Sequence, residues 1–188
     1  MKNRLLLTLA LLCAVTLTKA QDFPALDASP LDVAYFPDGL PLFELRKKPA
    51  AEPKIKLYYS RPQLKGRKMI GDKAAPFGKV WRLGANEAAE ITFYEEVTFG
   101  SERIQPGTYA LFAIPGEKSW TFILSNKTDT WGNYTTDESA FIARATTDNV
   151  SKPAEPIEAL SIMFKGADND AVMVVGWENT VVELPIKF

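Results

Sequence analysis

From Lys54 to Phe188 the chain alternates apolar and polar residues in short runs, separated by turn-forming residues. Alternation with a period of two places successive side chains on opposite faces of a strand. Lys54–Ser60, Ala89–Tyr94 and Val97–Phe99 read as strands, and Arg103-Ile104 leads into the turn Pro106-Gly107. Thr108–Ile114 and Trp120–Ser125 follow, split by Pro115-Gly116-Glu117-Lys118, a second strong turn. In Trp120–Ser125 the residues Trp120, Phe122 and Leu124 share one face. Glu138–Thr147, Ile157–Lys165, Ala171–Trp177 and Thr180–Phe188 complete the set, with Ala167-Asp168-Asn169-Asp170 as a turn. Short strands at this spacing, without a long segment of period 3.6, predict an all-β fold. The expected architecture is an antiparallel β-sandwich, jelly-roll-like or Greek-key, with at most one short helix around Glu138–Ala145. The alternation Val182, Leu184, Ile186, Phe188 resembles the last strand of an outer-membrane barrel. Such a barrel needs strands of about ten residues with one polar face. Val172–Trp177 is apolar on both faces, which suits a buried sandwich strand instead.

The segment before this domain has a different texture. Residues 21–53 contain Pro24, Pro30, Pro37, Pro41, Pro49 and Pro53. Proline fixes φ and removes an amide donor, so neither a helix nor a central strand is expected there. Phe23, Leu26, Tyr35, Phe36 and Phe43 are too apolar for a disordered linker. An extended arm packed on the domain is predicted. Its Arg46-Lys47-Lys48 run reads as a solvated turn.

The first twenty residues read as a cleaved secretory signal: a basic start, an apolar run over Leu5–Leu17, and Thr18-Lys19-Ala20 at the cleavage site. The mature chain would begin near Gln21 and be periplasmic or secreted, with no membrane span. Leu12 precedes Cys13 where a lipoprotein anchor needs a small residue. Signal removal takes with it the single cysteine, so no internal disulfide is expected. It also leaves the chain, of formal net charge −1 at full length, more acidic, which argues against nucleic acid as a partner. Histidine is absent, which excludes Ser-His-Asp and Cys-His nucleophiles and His-ligated metals. No Asp-rich calcium loop is found either, and no metal or cofactor is expected.

Polar chemistry gathers in Lys79–Glu90, read as KVWRLGANEAAE. A guanidinium, an amide and two carboxylates among alanines and a tryptophan need partners, because unpaired burial is costly. Arg61 leaves the first strand at Pro62, with Lys65, Arg67 and Lys68 close behind, and Glu178-Asn179 joins two apolar strands. One reading is a ligand pocket. Arg61 and Arg82 would offer forked donors to an anion, Asn86 and Glu87 would orient it or read hydroxyls, and Glu178 would support them. A second reading is a structural network of Arg61 and Arg82 against Glu87, Glu90 and Glu178. A third is a hydrolase built on Glu87 and Glu90, whose carboxyl separation would set its stereochemistry. Among the tryptophans, Trp120 and Trp177 lie in apolar strands and read as core. Trp131, between Asp129 and Asn133 in a loop, is the candidate surface ring for a sugar. Three N-glycosylation triplets, at Asn126, Asn133 and Asn149, are too common by chance to carry weight.

Several strings are similar to one family. They are Tyr59-Ser60-Arg61-Pro62, Gly66-Arg67, Ile70-Gly71, the run Pro76–Ala88, Pro106–Phe112, Ile114-Pro115-Gly116 and Trp177-Glu178-Asn179-Thr180. Together they resemble the secreted bacterial domain-of-unknown-function family 2911, over nearly all of the expected mature chain. The resemblance implies an exported, predominantly β protein and no activity. The combined expectation is a non-catalytic binding module for a small anionic or carbohydrate-like ligand. The alternatives are a structural or interaction protein with an envelope partner, and the carboxylate hydrolase.

Overall fold

The structure, a computed structural model, describes residues 22–133 and 136–188. The expected signal segment and its junction at Gln21 lie outside the described residues. Two antiparallel sheets face each other. The first contains β1 (Leu31–Phe36), β2 (Ile55–Ser60), β3 (Ala89–Phe93), β6 (Gly107–Ile114), β7 (Trp120–Ser125) and β8 (Phe141–Thr147), hydrogen-bonded in the order β1-β2-β3-β6-β7-β8. The second runs β10 (Ile157–Ala167), β11 (Asp170–Glu178), β12 (Thr180–Lys187), β4 (Val97–Phe99) and β5 (Glu102–Ile104), and β9 (Val150–Ser151) also pairs with β12.

Alternation produces the core directly. Ile55, Leu57 and Tyr59 of β2 point inward, as do Leu111 and Ala113 of β6 and Phe122 and Leu124 of β7. From the other sheet they meet Leu160, Ile162 and Phe164 of β10 and Met173, Val175 and Trp177 of β11. Strand β6 is apolar on both faces for a reason. Ala110 and Phe112 point away from the main core and form a small second one with Ala88 and Ile123, against which Val80 and Phe141 pack. Val80 and Ala88 therefore place their side chains on the outer face of the first sheet, and the chain between them forms one wall of the site.

Two local expectations take a definite form. The extended arm packs on the domain partly as an edge strand: Leu31–Phe36 joins the first sheet, registered against β2 from Leu31↔Ser60 to Phe36↔Ile55. Six residues lie between Pro30 and Pro37 with their amide donors intact, and an edge strand tolerates flanking prolines. Further along the arm, Leu40–Leu42 makes one 3-10 turn where no helix was expected. Of the helix considered at Glu138–Ala145, only Glu138–Ala140 turns, as a 3-10 piece in which the Asp137 side chain caps the Ser139 N–H. From Phe141 onward the alternation wins and β8 begins. No helix among the described residues is long and apolar enough to cross a membrane.

Candidate functional site

The KVWRLGANEAAE stretch is a strand interrupted by a loop. Trp81 exchanges two backbone hydrogen bonds with Ala113 of β6, its N–H donating at 2.7 Å and its carbonyl accepting at 2.8 Å. The Ala89 N–H then donates to the Arg82 carbonyl at 3.0 Å. Arg82 to Ala88 is thus extruded from the sheet as a closed loop. Leu83 and Asn86 take left-handed backbone conformations to make it, with φ of 55° and 59°. Asn tolerates that region, while a leucine there is held by its surroundings.

Four neighbours fix the loop. The Ser60 hydroxyl donates to the Ala85 carbonyl and accepts the Ala85 N–H, both at 2.6 Å. Gly84 lies against the same serine, so closely that a Cβ there would sit 2.7 Å from Ser60 Oγ. From the other side Gly132 N–H donates to the Asn86 carbonyl at 2.8 Å and Ala88 N–H to the Thr130 carbonyl at 3.0 Å. Glu87 and Trp131 face each other across this short antiparallel bridge. The Arg82 N–H donates to Asn133 Oδ1 at 3.0 Å.

The five expected residues divide into two groups. Arg82, Asn86 and Glu87 share the loop. Arg61 and Glu178 are engaged elsewhere. Arg61 donates from Nε to the Leu160 carbonyl at 3.0 Å, from Nη1 to Asp32 Oδ2 at 3.0 Å and from Nη2 to Ser161 Oγ at 2.8 Å. It ties edge strand β1 to β10 of the opposite sheet. Glu178 Oε2 accepts the N–H groups of Met69 and Ile70 at 3.2 and 3.0 Å, which pins the loop after β2 to the β11–β12 hairpin. The network weighed as an alternative, with Arg61 against glutamates, is therefore not how Arg61 is paired: its carboxylate is Asp32.

A cleft of about 420 Å³ opens beside the loop, between Gly84-Ala85 and the segment Arg67–Ala74. Arg67, Lys73 and Arg82 bring three cations to it, and among the described residues no carboxylate lines it. Asn133 adds an amide, and Met69 and Trp177 contribute apolar surface. Trp177 is held by stacking on Trp81, ring centroids 5.6 Å apart and planes 10° from parallel. Its indole N–H is buried and has no hydrogen-bond partner among the described residues. Arg67 spends Nε and Nη2 on the carbonyls of Leu64 and Gln63. Exposed Lys73 makes no ion pair among the described residues. Sequence reasoning passed over Lys73 and Asn133 and left Arg67 beside Arg61. A lysine between Gly71 and Pro76, followed by two alanines, was the available signal.

Across the loop lies a second cavity of about 350 Å³, lined by Leu31, Tyr58, Glu87, Ala88, Glu90 and Asp129. Glu90 Oε1 accepts the Asp129 N–H at 2.7 Å. Trp131, opposite Glu87, is 55% exposed, whereas Trp81, Trp120 and Trp177 are buried. Among the described residues no three Asp, Glu, His or Cys side chains are grouped to hold a metal ion.

Fold and site together define a β-sandwich module with a cationic cleft at the edge of an extruded loop. The chain belongs to the family of proteins of unknown function DUF2911, whose model matches residues 44–186. The match takes in both cavity-forming loops and starts after edge strand β1. No curated protein and no solved structure matches the chain.

Proposed function

We propose that the protein is an exported binding module whose cleft takes a small anionic ligand. The observation that carries this reading is that Arg67, Lys73 and Arg82 line one cleft with no lining carboxylate among the described residues, in a chain whose overall charge is slightly negative. A cleft lined by cationic side chains favours an anionic guest by charge. Guanidinium groups favour carboxylate, sulfate and phosphate through paired donors, and Lys73 supplies a mobile point charge. A cleft of this volume is in the range of small-molecule sites. Arg61 and Glu178, expected as ligand contacts, serve in this reading as the residues that hold the walls. Asn86 and Glu87 shape the loop that separates the cleft from its neighbour.

Thermal unfolding in the presence of sulfate, phosphate, citrate and glucuronate tests the proposal. Ligand at about a hundred times Kd stabilises by about 2.7 kcal/mol. At least one of these anions should raise Tm, neutral sugars of the same size should raise it less, and the rise should vanish in Lys73→Ala and Arg82→Ala. A flat response to all four anions would overturn the reading. The presence of Glu87 and Glu90 in one cavity keeps the carboxylate hydrolase as the second reading. It requires turnover of chromogenic glycosides that Glu87→Gln abolishes. The other alternative, a structural or interaction protein of the envelope, stands if no small ligand stabilises the fold.

A further inference from the structure

The lining of the cationic cleft changes character with depth. Pro62, Met69 and Trp177 line it and are buried, whereas Arg67 and Lys73 line it and are exposed. The buried residues make its floor and the two cations belong to its rim. Backbone groups of the floor are already engaged. The Met69 N–H donates to Glu178 Oε2 at 3.2 Å, and its carbonyl accepts the N–H groups of Asp72 at 3.3 Å and Ala75 at 3.2 Å. The Pro62 carbonyl accepts the Leu160 N–H at 3.0 Å, and proline has no amide donor of its own. The rim is the reverse. Among the described residues Arg67 bonds through Nε and Nη2 and keeps Nη1 available, and Lys73 makes no ion pair.

Resting on the anion reading above, we infer that the ligand is a small carboxylic acid with a hydrocarbon body. Its carboxylate meets Arg67 and Lys73 at the rim, where an ionised donor and an ionised acceptor make the strongest hydrogen bonds. Its hydrocarbon lies on Pro62, Met69 and Trp177, and each carbon taken out of water there adds affinity. The unbranched Met69 side chain can adapt to the shape of that body, while stacking on Trp81 holds Trp177 in place. A sugar acid suits the floor poorly. Its hydroxyls would exchange water for a surface whose backbone groups are taken, and unpaired polar groups are costly. Inorganic phosphate would satisfy the rim and leave the floor uncovered. Depth therefore sets orientation, with the acid at the mouth and the chain inward, and it selects for hydrocarbon length.

Calorimetric titration of the whole protein with acetate, butanoate, hexanoate, hexanamide, glucuronate and inorganic phosphate is the test. A fully buried methylene is a factor of about four in affinity. The cleft is open on one side, so hexanoate should bind about tenfold or more tighter than acetate, with butanoate between them. Hexanamide, which keeps the chain and loses the charge, should bind about tenfold more weakly than hexanoate. Lys73→Glu, at an exposed position, should weaken every acid and preserve the order of the series. Met69→Gln should shrink the advantage of hexanoate over acetate. Should that variant fail to fold, the chain-length series in the parent protein still decides. Hexanoate no tighter than acetate, or an undiminished advantage in folded Met69→Gln, overturns the inference. Phosphate or glucuronate binding as tightly as hexanoate overturns it too, yet leaves the anion reading standing. Hexanamide equal to hexanoate, or no binding by any anion, ends both.

Discussion

The indole of Trp81 lies parallel to that of Trp177, 5.6 Å between centroids, and so joins the loop-bearing strand of one sheet to the hairpin strand of the other. Trp120 closes on Trp81 edge-to-face at 6.2 Å. The Trp81 indole N–H donates to the Gly84 carbonyl at 3.2 Å, so the same ring that fills the core also sets the curvature of the loop above it. Trp81→Ala should destabilise the fold by about 3–5 kcal/mol, the usual cost of emptying a large buried aromatic site. Trp81→Phe should cost clearly less, since it keeps a stacked ring and loses the Gly84 bond. Urea denaturation of both variants measures the difference, and equal losses would show that stacking is not the source of the stability.

Arg61 supports edge strand β1 through three bonds. Its pair with Asp32 is more than a third exposed on both sides, so the ionic part contributes only about 0–1 kcal/mol. The bonds to Leu160 and Ser161 bring the expected loss in Arg61→Ala to about 1–3 kcal/mol. Lysine cannot reproduce the fork, and Arg61→Lys should recover little. The loss should be local: amide exchange should accelerate in Leu31–Phe36 and stay slow in β6 and β7. Uniform acceleration through both sheets would contradict the assignment.

Glu178 accepts two backbone amides, and a buried donor without an acceptor costs about 1–3 kcal/mol. Glu178→Ala strands both and should open the loop around Met69 and Ile70 to limited proteolysis. Glu178→Gln retains a carbonyl oxygen and should be cleaved more slowly than the alanine variant. If the two variants are cut at the same rate, the carboxylate is not what pins the loop.

Tyr59 is buried, donates to the Ile162 carbonyl at 3.2 Å and accepts the Ile162 N–H at 2.9 Å. Burial is the main reason its pKa is raised above the ordinary 10.0, with the bond from the Ile162 N–H opposing. In the unfolded chain this phenol ionises near its ordinary value, while in the folded chain it stays protonated. The unfolded state then binds fewer protons, so stability falls as pH rises. The contribution is full below about pH 10 and is lost as pH climbs toward the folded pKa. Denaturation midpoints taken from pH 8 to 11 should therefore decline less steeply in Tyr59→Phe than in the parent, although the variant starts lower by the loss of two hydrogen bonds. Parallel declines would rule out Tyr59 as the titrating group.

The turns at Pro106-Gly107 and Pro115-Gly116 and the run Trp120–Ser125 were legible because alternation and turn chemistry act over a few residues. Trp120 and Trp177 are core as their strands implied, and Trp131 is exposed as its Asp, Gly and Asn neighbours implied. The short strand at Val150–Ser151 was not legible, since two residues carry no period. Nor was β1, whose six residues are hidden among prolines that on their own argue against a strand.

The family follows from the sequence, and so does the sandwich, because each strand's choice of face is written in its own residues. Partnership is different. Arg61 meets Asp32, Leu160 and Ser161 across separations of 29, 99 and 100 residues, and no local pattern encodes which strand of the opposite sheet will stand over it. Only the tertiary structure decided that Arg61 and Glu178 brace the walls while Lys73 and Asn133 line the cleft. A charged side chain takes its role from the groups the topology brings within bonding distance, and those lie far away along the chain.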